Sequence, residues 1–346
     1  MAWYAYAVAA LLWLSMIAYA VLGGADFGGG IWNLFFVGKK GEPARALIRG
    51  AVGPVWEANN VWIIFLAVGL YTGFPVVAAA LANALFIPLT LALIGIVLRG
   101  ASFAFRTHFS GVIEVKWAWG SAFGIASLFT PFILGACAAA AASGKIRVRN
   151  GQAPVDLWQA WLTPFALTIG IIALALCATI AAIFLTVEAE RINDTELMNA
   201  FRSRAFLAGG LTAILGLVAL FLSASEAPVF WQGMLNHGWW AVAITLLMGA
   251  ATGAALWFRR YRIARILVVM DTVAFLGTWG VAQLPYILPP DLTVIQASSP
   301  SATMRDFFFS ALVGTLVLLP SLWFLFHVFK FQQAVPPVHE KPVKES

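Results

Sequence analysis

Long apolar runs, separated by short stretches that collect most of the charge, organise this chain. Crossing a bilayer core of ~30 Å takes ~20 predominantly apolar residues in one helix. Nine runs qualify: 5–36, 51–72, 74–98, 117–143, 158–186, 205–224, 239–258, 263–286 and 307–329. The pattern predicts one integral-membrane domain over 1–330, all-α and polytopic, with about nine transmembrane helices. Residues 331–346 are Pro-rich and charged, and are expected to form a disordered cytoplasmic tail. The first run has no basic segment before it and is too long for a signal-peptide core, so it is read as a retained first helix. Its Gly23-Gly24 and Gly28-Gly29-Gly30 predict a tilt, a kink or a close helix contact. The longest outer loop, about 287–306, is expected to be an ordered lid or a partner contact.

Composition narrows the class. Only 10% of the residues are charged, 62% are hydrophobic, and the mean hydropathy is +0.88. Soluble domains carry roughly 25% charged residues, so a soluble enzyme and a disordered chain are both excluded. The strands of an outer-membrane barrel alternate polar and apolar residues, which these runs do not. The excess of 21 basic over 15 acidic residues implies no nucleic-acid partner. It reports orientation instead. With the N-terminus outside, 17 of the 21 basic residues fall on the inner side of the alternation, and the C-terminus is cytoplasmic. Cys137 and Cys177 lie in apolar runs without a CxxC and read as small buried hydrophobes.

The few charges within the spans carry the chemistry. A charged group at bilayer depth costs at least about 2.5–3.5 kcal/mol, so each is a functional candidate. Asp26 sits among glycines in GGADFGGG, Glu57 about two turns into the second run in GPVWEANNVW, and Asp271 at similar depth in the eighth. Arg99 is expected at the inner end of the third run. Carboxyls so placed, with Asn59 and Asn60 beside them, are what a proton relay requires. The plainer alternative is that each acid pairs with an arginine or a backbone donor and ties helices together. That alternative leads for Asp271, stands level for Asp26 and is weaker for Glu57.

Redox cofactors need ligands. His108 and His237 fall near span ends, His339 is in the tail, and His327 lies near the inner end of the last run. A bis-histidine haem needs two histidines at one depth on facing helices, and this set does not offer them. No metal-ligand spacing or phosphate loop is present either. The chain alone is therefore expected to bind no cofactor. Three functions remain on the residues alone: a subunit of a redox complex, a secondary transporter with Asp26 and Glu57 as ligands, or a structural membrane scaffold. Without further information the transporter leads.

Four motifs change that order. YAVLGGADFGGGIW resembles the first-helix motif LDGFDLGxG of the cytochrome bd quinol oxidase subunit II family. GPVWEANNVWII resembles its WDGNExW, VLRGASFAFR its LRGxxFEFR, and AQLPYILPPDLTV with ASSPSATMRD its late external segment. Three departures mark a divergent branch: Gly23 stands at one acidic position, Glu57 replaces the usual Asp, and Ala104 replaces a Glu. The resemblance implies two four-helix bundles plus a peripheral helix in the bacterial inner membrane. It implies a haem-bearing subunit I as partner, carrying haem b and haem d, and small single-helix subunits. Quinol, O2 and membrane lipid are implied as further partners, with a structural quinone or lipid at the surface. By the same resemblance Glu57 is a proton-path carboxyl, Asp26 a second one, and Arg99 a charge-compensating or path-lining group. The path would supply cytoplasmic protons to O2 reduction without pumping.

Overall fold

A computed structural model describes residues 3–52, 56–108, 113–148 and 158–332, with backbone only at 52, 56–58, 106–108, 113–117, 326 and 328–332. Most of it is helix, because an apolar segment in lipid has to satisfy its N–H and C=O groups within itself. The helices are α1 (Trp3–Phe35), α2 (Glu42–Val52), α3 (Trp56–Gly73), α4 (Pro75–Ala84), α5 (Phe86–His108) and α6 (Ile113–Ala142). There follow α7 (Pro164–Arg191), α8 (Thr195–Glu226), α9 (Pro228–Gly233) with a π turn over Met234–Gly238, α10 (Trp239–Trp257) and α11 (Tyr261–Gln283). A hairpin of β1 (Tyr286–Leu288) and β2 (Leu292–Thr293), the short α12 (Val294–Ala297) and α13 (Ser301–Gln332) complete the chain.

Among the described residues, eight helical segments are each long and apolar enough to cross a bilayer. A ninth forms only when α3 and α4 are taken together, and they are bent by 118°. This is a multi-pass membrane protein. The helices group as α1, α3, α5 and α6 in one bundle and α7, α8, α10 and α11 in a second, joined where α1 and α6 meet α7. α13 lies at the periphery against α1 and α3.

Several expected boundaries move. The pattern predicts one span over 74–98, and the structure divides it. Phe74 leaves the helical region, and Pro75 opens α4 without an N–H to offer. The carbonyls freed at the bend are taken up by Ser299, whose N–H donates to Gly73 at 2.8 Å and whose hydroxyl donates to Thr72 at 2.7 Å. The third crossing is therefore α5, so Arg99 lies in mid-helix and not at the inner end. The expected second span from 51 is divided as well: 51–52 close α2, and Glu57 falls in the first turn of α3. Its side chain lies outside the described residues, as do residues 333–346 of the expected tail, whereas 331–332 continue α13.

α2 is a helix that hydropathy does not announce. Ala44 and Ile48, one turn apart, are buried against α1 and α7. Arg45 on the same helix donates to the carbonyls of Phe36 at 2.5 Å and Gly38 at 2.8 Å, satisfying the chain just beyond α1.

The glycine run in α1 is a close contact within one continuous helix. A Cβ at Gly28 would collide with the backbone carbonyl of Cys177 on α7, and one at Gly30 with the hydroxyl of Ser127 on α6. Trp32 locks the same approach, its indole N–H donating to Ala178 O at 2.8 Å. Cys137 and Cys177 are free and buried. The outer segment after α11 is ordered. Its Asp291 ties back to the loop after α6, accepting from the Val148 N–H at 2.8 Å and pairing with Arg147 at 2.9 Å.

Candidate functional site

Close approach of α1 to its neighbours brings three polar side chains together deep in the first bundle. Asp26 of α1, Asn59 of α3 and Arg99 of α5 are only 5%, 4% and 4% exposed. The Asn59 amide donates to one oxygen of the Asp26 carboxylate and to Leu22 O at 3.3 Å. The Arg99 guanidinium stands 3.9 Å from the same carboxylate oxygen, close enough for strong Coulomb attraction but too far for a hydrogen bond. Two aromatic faces cover the cation, Phe27 at 4.5 Å and Phe123 at 5.2 Å from ring centre to Cζ. The pair is formally neutral, which is how a membrane interior tolerates two charges.

Hydrogen-bond capacity is left over on Arg99 and along the helices that build this pair. Among the described residues, Nε and one terminal nitrogen of Arg99, the hydroxyls of Tyr19 and Ser102, and the indole N–H of Trp62 are buried without a partner. Tyr19 lies seven residues before Asp26, two helical turns along the same face of α1. Buried polar groups are normally satisfied by protein or by ordered water. Side chains that can give and take protons, held beside a cation, can pass a proton along a hydrogen-bonded route.

The sequence-derived candidates are thus partly united. Asp26 and Arg99, 73 positions apart, are brought into contact, with Asn59 as the third member. Sequence reasoning missed the Asp26–Arg99 pairing because it put Arg99 at a span end, and it missed Tyr19, Trp62 and Ser102 altogether. The helical spacing of Tyr19 to Asp26 was the available signal. Asp271 is not part of the cluster. It sits on α11, partly exposed, and has no ion pair or hydrogen bond among the described residues, so the expected role as interhelical glue is not what the structure displays. The residue opposite it is Gly249 of α10.

Among the described residues no three His, Cys, Asp or Glu side chains gather as metal ligands. His237 at the outer end of α10 is engaged with Val281 O at 3.1 Å, and the exposed His327 stacks on Trp323 at 5.1 Å. His237 precedes α10 and His327 lies late in α13, each engaged by a residue other than the other histidine, so they are not placed as an axial pair for haem. The side chains of His108 and His339 lie outside the described residues.

Comparison with known proteins agrees with this architecture. The solved bd oxidase of Geobacillus thermodenitrificans has a chain that superposes with a TM-score of 0.80 at 24% identity, over 95% of this chain and 99% of that one. A Bacillus subtilis protein, provisionally named cytochrome bd menaquinol oxidase subunit II, is 24% identical over 92% of this chain and 93% of its own. The cytochrome bd ubiquinol oxidase subunit 2 of the same organism is 33% identical over 130 residues, 36% of this chain and 37% of that protein. The family model described as cytochrome bd terminal oxidase subunit II matches residues 4–329. A match of that extent, on a predominantly helical chain with this order of spans, means that the chain belongs to the cytochrome bd terminal oxidase subunit II family, whose members are subunits of an oxidoreductase complex.

Proposed function

We propose that this chain is the non-haem subunit II of a bd-type terminal oxidase of the bacterial inner membrane, where it supports a haem-bearing subunit I and conducts cytoplasmic protons toward it. The complex would reduce O2 to water with electrons from membrane quinol. Haem b and haem d, when bound, supply the electron transfer and the O2 chemistry, and they are assigned to subunit I. Small single-helix subunits and lipid would complete the assembly.

The observation that carries the reading is the buried cluster of Asp26, Asn59 and Arg99 with unspent donors around it. Reduction of O2 to water consumes protons, and a carboxyl inside the membrane can accept one and pass it on. Arg99 keeps Asp26 from being an isolated buried charge, and Asn59 holds its carboxylate in one orientation. Glu57, two positions before Asn59 on α3, is the second acid of the proposed path. Membership of the subunit II family favours this reading over a transporter, and the glycine-rich α1 that mildly favoured transport is one continuous helix.

The test is oxygen uptake by the intact complex carrying Glu57→Gln or Asp26→Asn, alongside its haem absorption spectrum. Slower uptake at unchanged haem content supports proton conduction. Unchanged uptake across the pH range, in both variants, removes the role.

A further inference from the structure

The second bundle holds a carboxyl that the proposed path does not use. Asp271 is the eleventh residue of the 23 in α11, so it lies about 15 Å from one helix end and about 18 Å from the other, near the bilayer midplane. Its oxygens lie 3.6 and 3.8 Å from where a Cβ on Gly249 would stand, ordinary van der Waals contact, so in the α10–α11 seam the carboxyl faces the bare backbone of a glycine and no polar side chain.

Nothing described around it can hold a negative charge. α10 carries no ionisable side chain along its length. The nearby hydroxyls are spent: Thr245 and Thr278 bond each other at 3.0 Å, and Thr252 donates to Met248 O at 2.9 Å. On α7, Glu188 and Glu190 lie at the inner end, opposite Arg262 and Arg265 of α11 itself, and pair with them there. Cys177 of α7 and Asp26 of α1 face the first-bundle cluster, and His237 beyond α9 is held at the outer end by Val281 O. An ionised carboxylate at this depth with no partner is strongly disfavoured, and the neutral acid is the form such a place accepts.

We infer that Asp271 is a second intramembrane proton-binding site, a carboxyl that holds its own proton in the α10–α11 seam, independent of the Asp26 cluster. The ligand is the proton. The inference stands whether or not the Asp26 cluster conducts.

The test uses the intact complex at neutral pH and the apolar reagent dicyclohexylcarbodiimide, which reacts with protonated carboxyls. The carboxyl O–H adds across one C=N bond: the oxygen bonds the central carbon, the proton goes to nitrogen, and the adduct rearranges to a stable N-acylurea with nothing leaving. Peptide mass spectrometry should find Asp271 labelled about tenfold or more above the arginine-paired Asp26. The mass addition should vanish in Asp271→Asn and return in Asp271→Glu. Infrared spectra of the same samples provide a second readout, since a protonated carboxyl has a C=O band that Asp271→Asn would remove. Labelling, or that band without labelling where a partner chain shuts out the reagent, supports the site. Absence of both overturns it and identifies an ionised carboxylate.

Discussion

Asp26 and Asp271 are the same residue at comparable depth in two bundles of one chain, and their surroundings are opposite. Asp26 is buried in the first bundle with an amide donor, a guanidinium and two aromatic rings arranged around it. Asp271 is partly exposed in the second bundle, and the helix facing it offers a glycine. The difference shows two ways in which a membrane interior accommodates an acid. One is to surround the charge with compensating groups contributed by neighbouring helices, and the other is to set it against bare backbone and let the group stay neutral. Only the first arrangement makes an acid part of a network.

Substitutions can break that contrast. Arg99→Met should have the largest effect, costing about 3–5 kcal/mol because it leaves Asp26 buried without its cation. Unfolding of the detergent-solubilised complex measures it, and the double variant Arg99→Met with Asp26→Leu should recover much of the loss. Gly28→Val should follow at about 1–3 kcal/mol, through overpacking against Cys177 O. Asp26→Asn, which keeps the shape of the cluster, should lower oxygen uptake about tenfold or more with haem content intact. Asp271→Leu should move the other way and raise stability by about 1–2 kcal/mol, since it removes a polar group that no partner satisfies.

The smallest effect belongs outside the membrane. Hydrogen bonds from Arg49 at 2.8 Å and Arg45 at 2.6 Å hold the Glu42 carboxyl below its usual range. A depressed value in the folded state means stabilisation that is present above the ordinary glutamate titration and is lost as pH falls through the lowered one. Glu42 is largely exposed, so screening leaves about 0.2–1 kcal/mol. Comparing the unfolding of Glu42→Gln with the parent chain at neutral and acid pH should show a difference that disappears in acid. A pH-independent difference would place the effect in packing.

The all-helical, polytopic character and the count of crossings, nine when the bent α3–α4 pair is taken as one, could be read from the sequence because apolar length is a local property. The acid within the first span was equally visible, as was the need for a close contact at its glycines. The partner of that acid was hidden by one error of register. Residues 74–98 are apolar throughout, and hydropathy does not register a sharp bend when both arms are apolar. Placing the third crossing about ten residues too early moved Arg99 from mid-helix to a span end. α2 was missed for the opposite reason: its mean polarity resembles a loop, and only the one-turn spacing of Ala44 and Ile48 marks its buried face. Asp271 could be found by sequence as a misplaced acid, but that Gly249 of α10 is the residue facing it is a tertiary relation with no local signature.

The bond from Ser299 to the end of α3 has a consequence for how the protein is made. Residues 72 and 73 are synthesised well before their hydrogen-bond partner, which lies 227 positions after Thr72, beyond α11. Until that late segment arrives on the outer face, the bend between α3 and α4 has open carbonyls at the membrane boundary. The first bundle, which holds the proposed proton path, is thus completed by a segment synthesised after the second bundle. A chain truncated before Ser299 would retain the residues of the Asp26 cluster without the latch that fixes the end of α3.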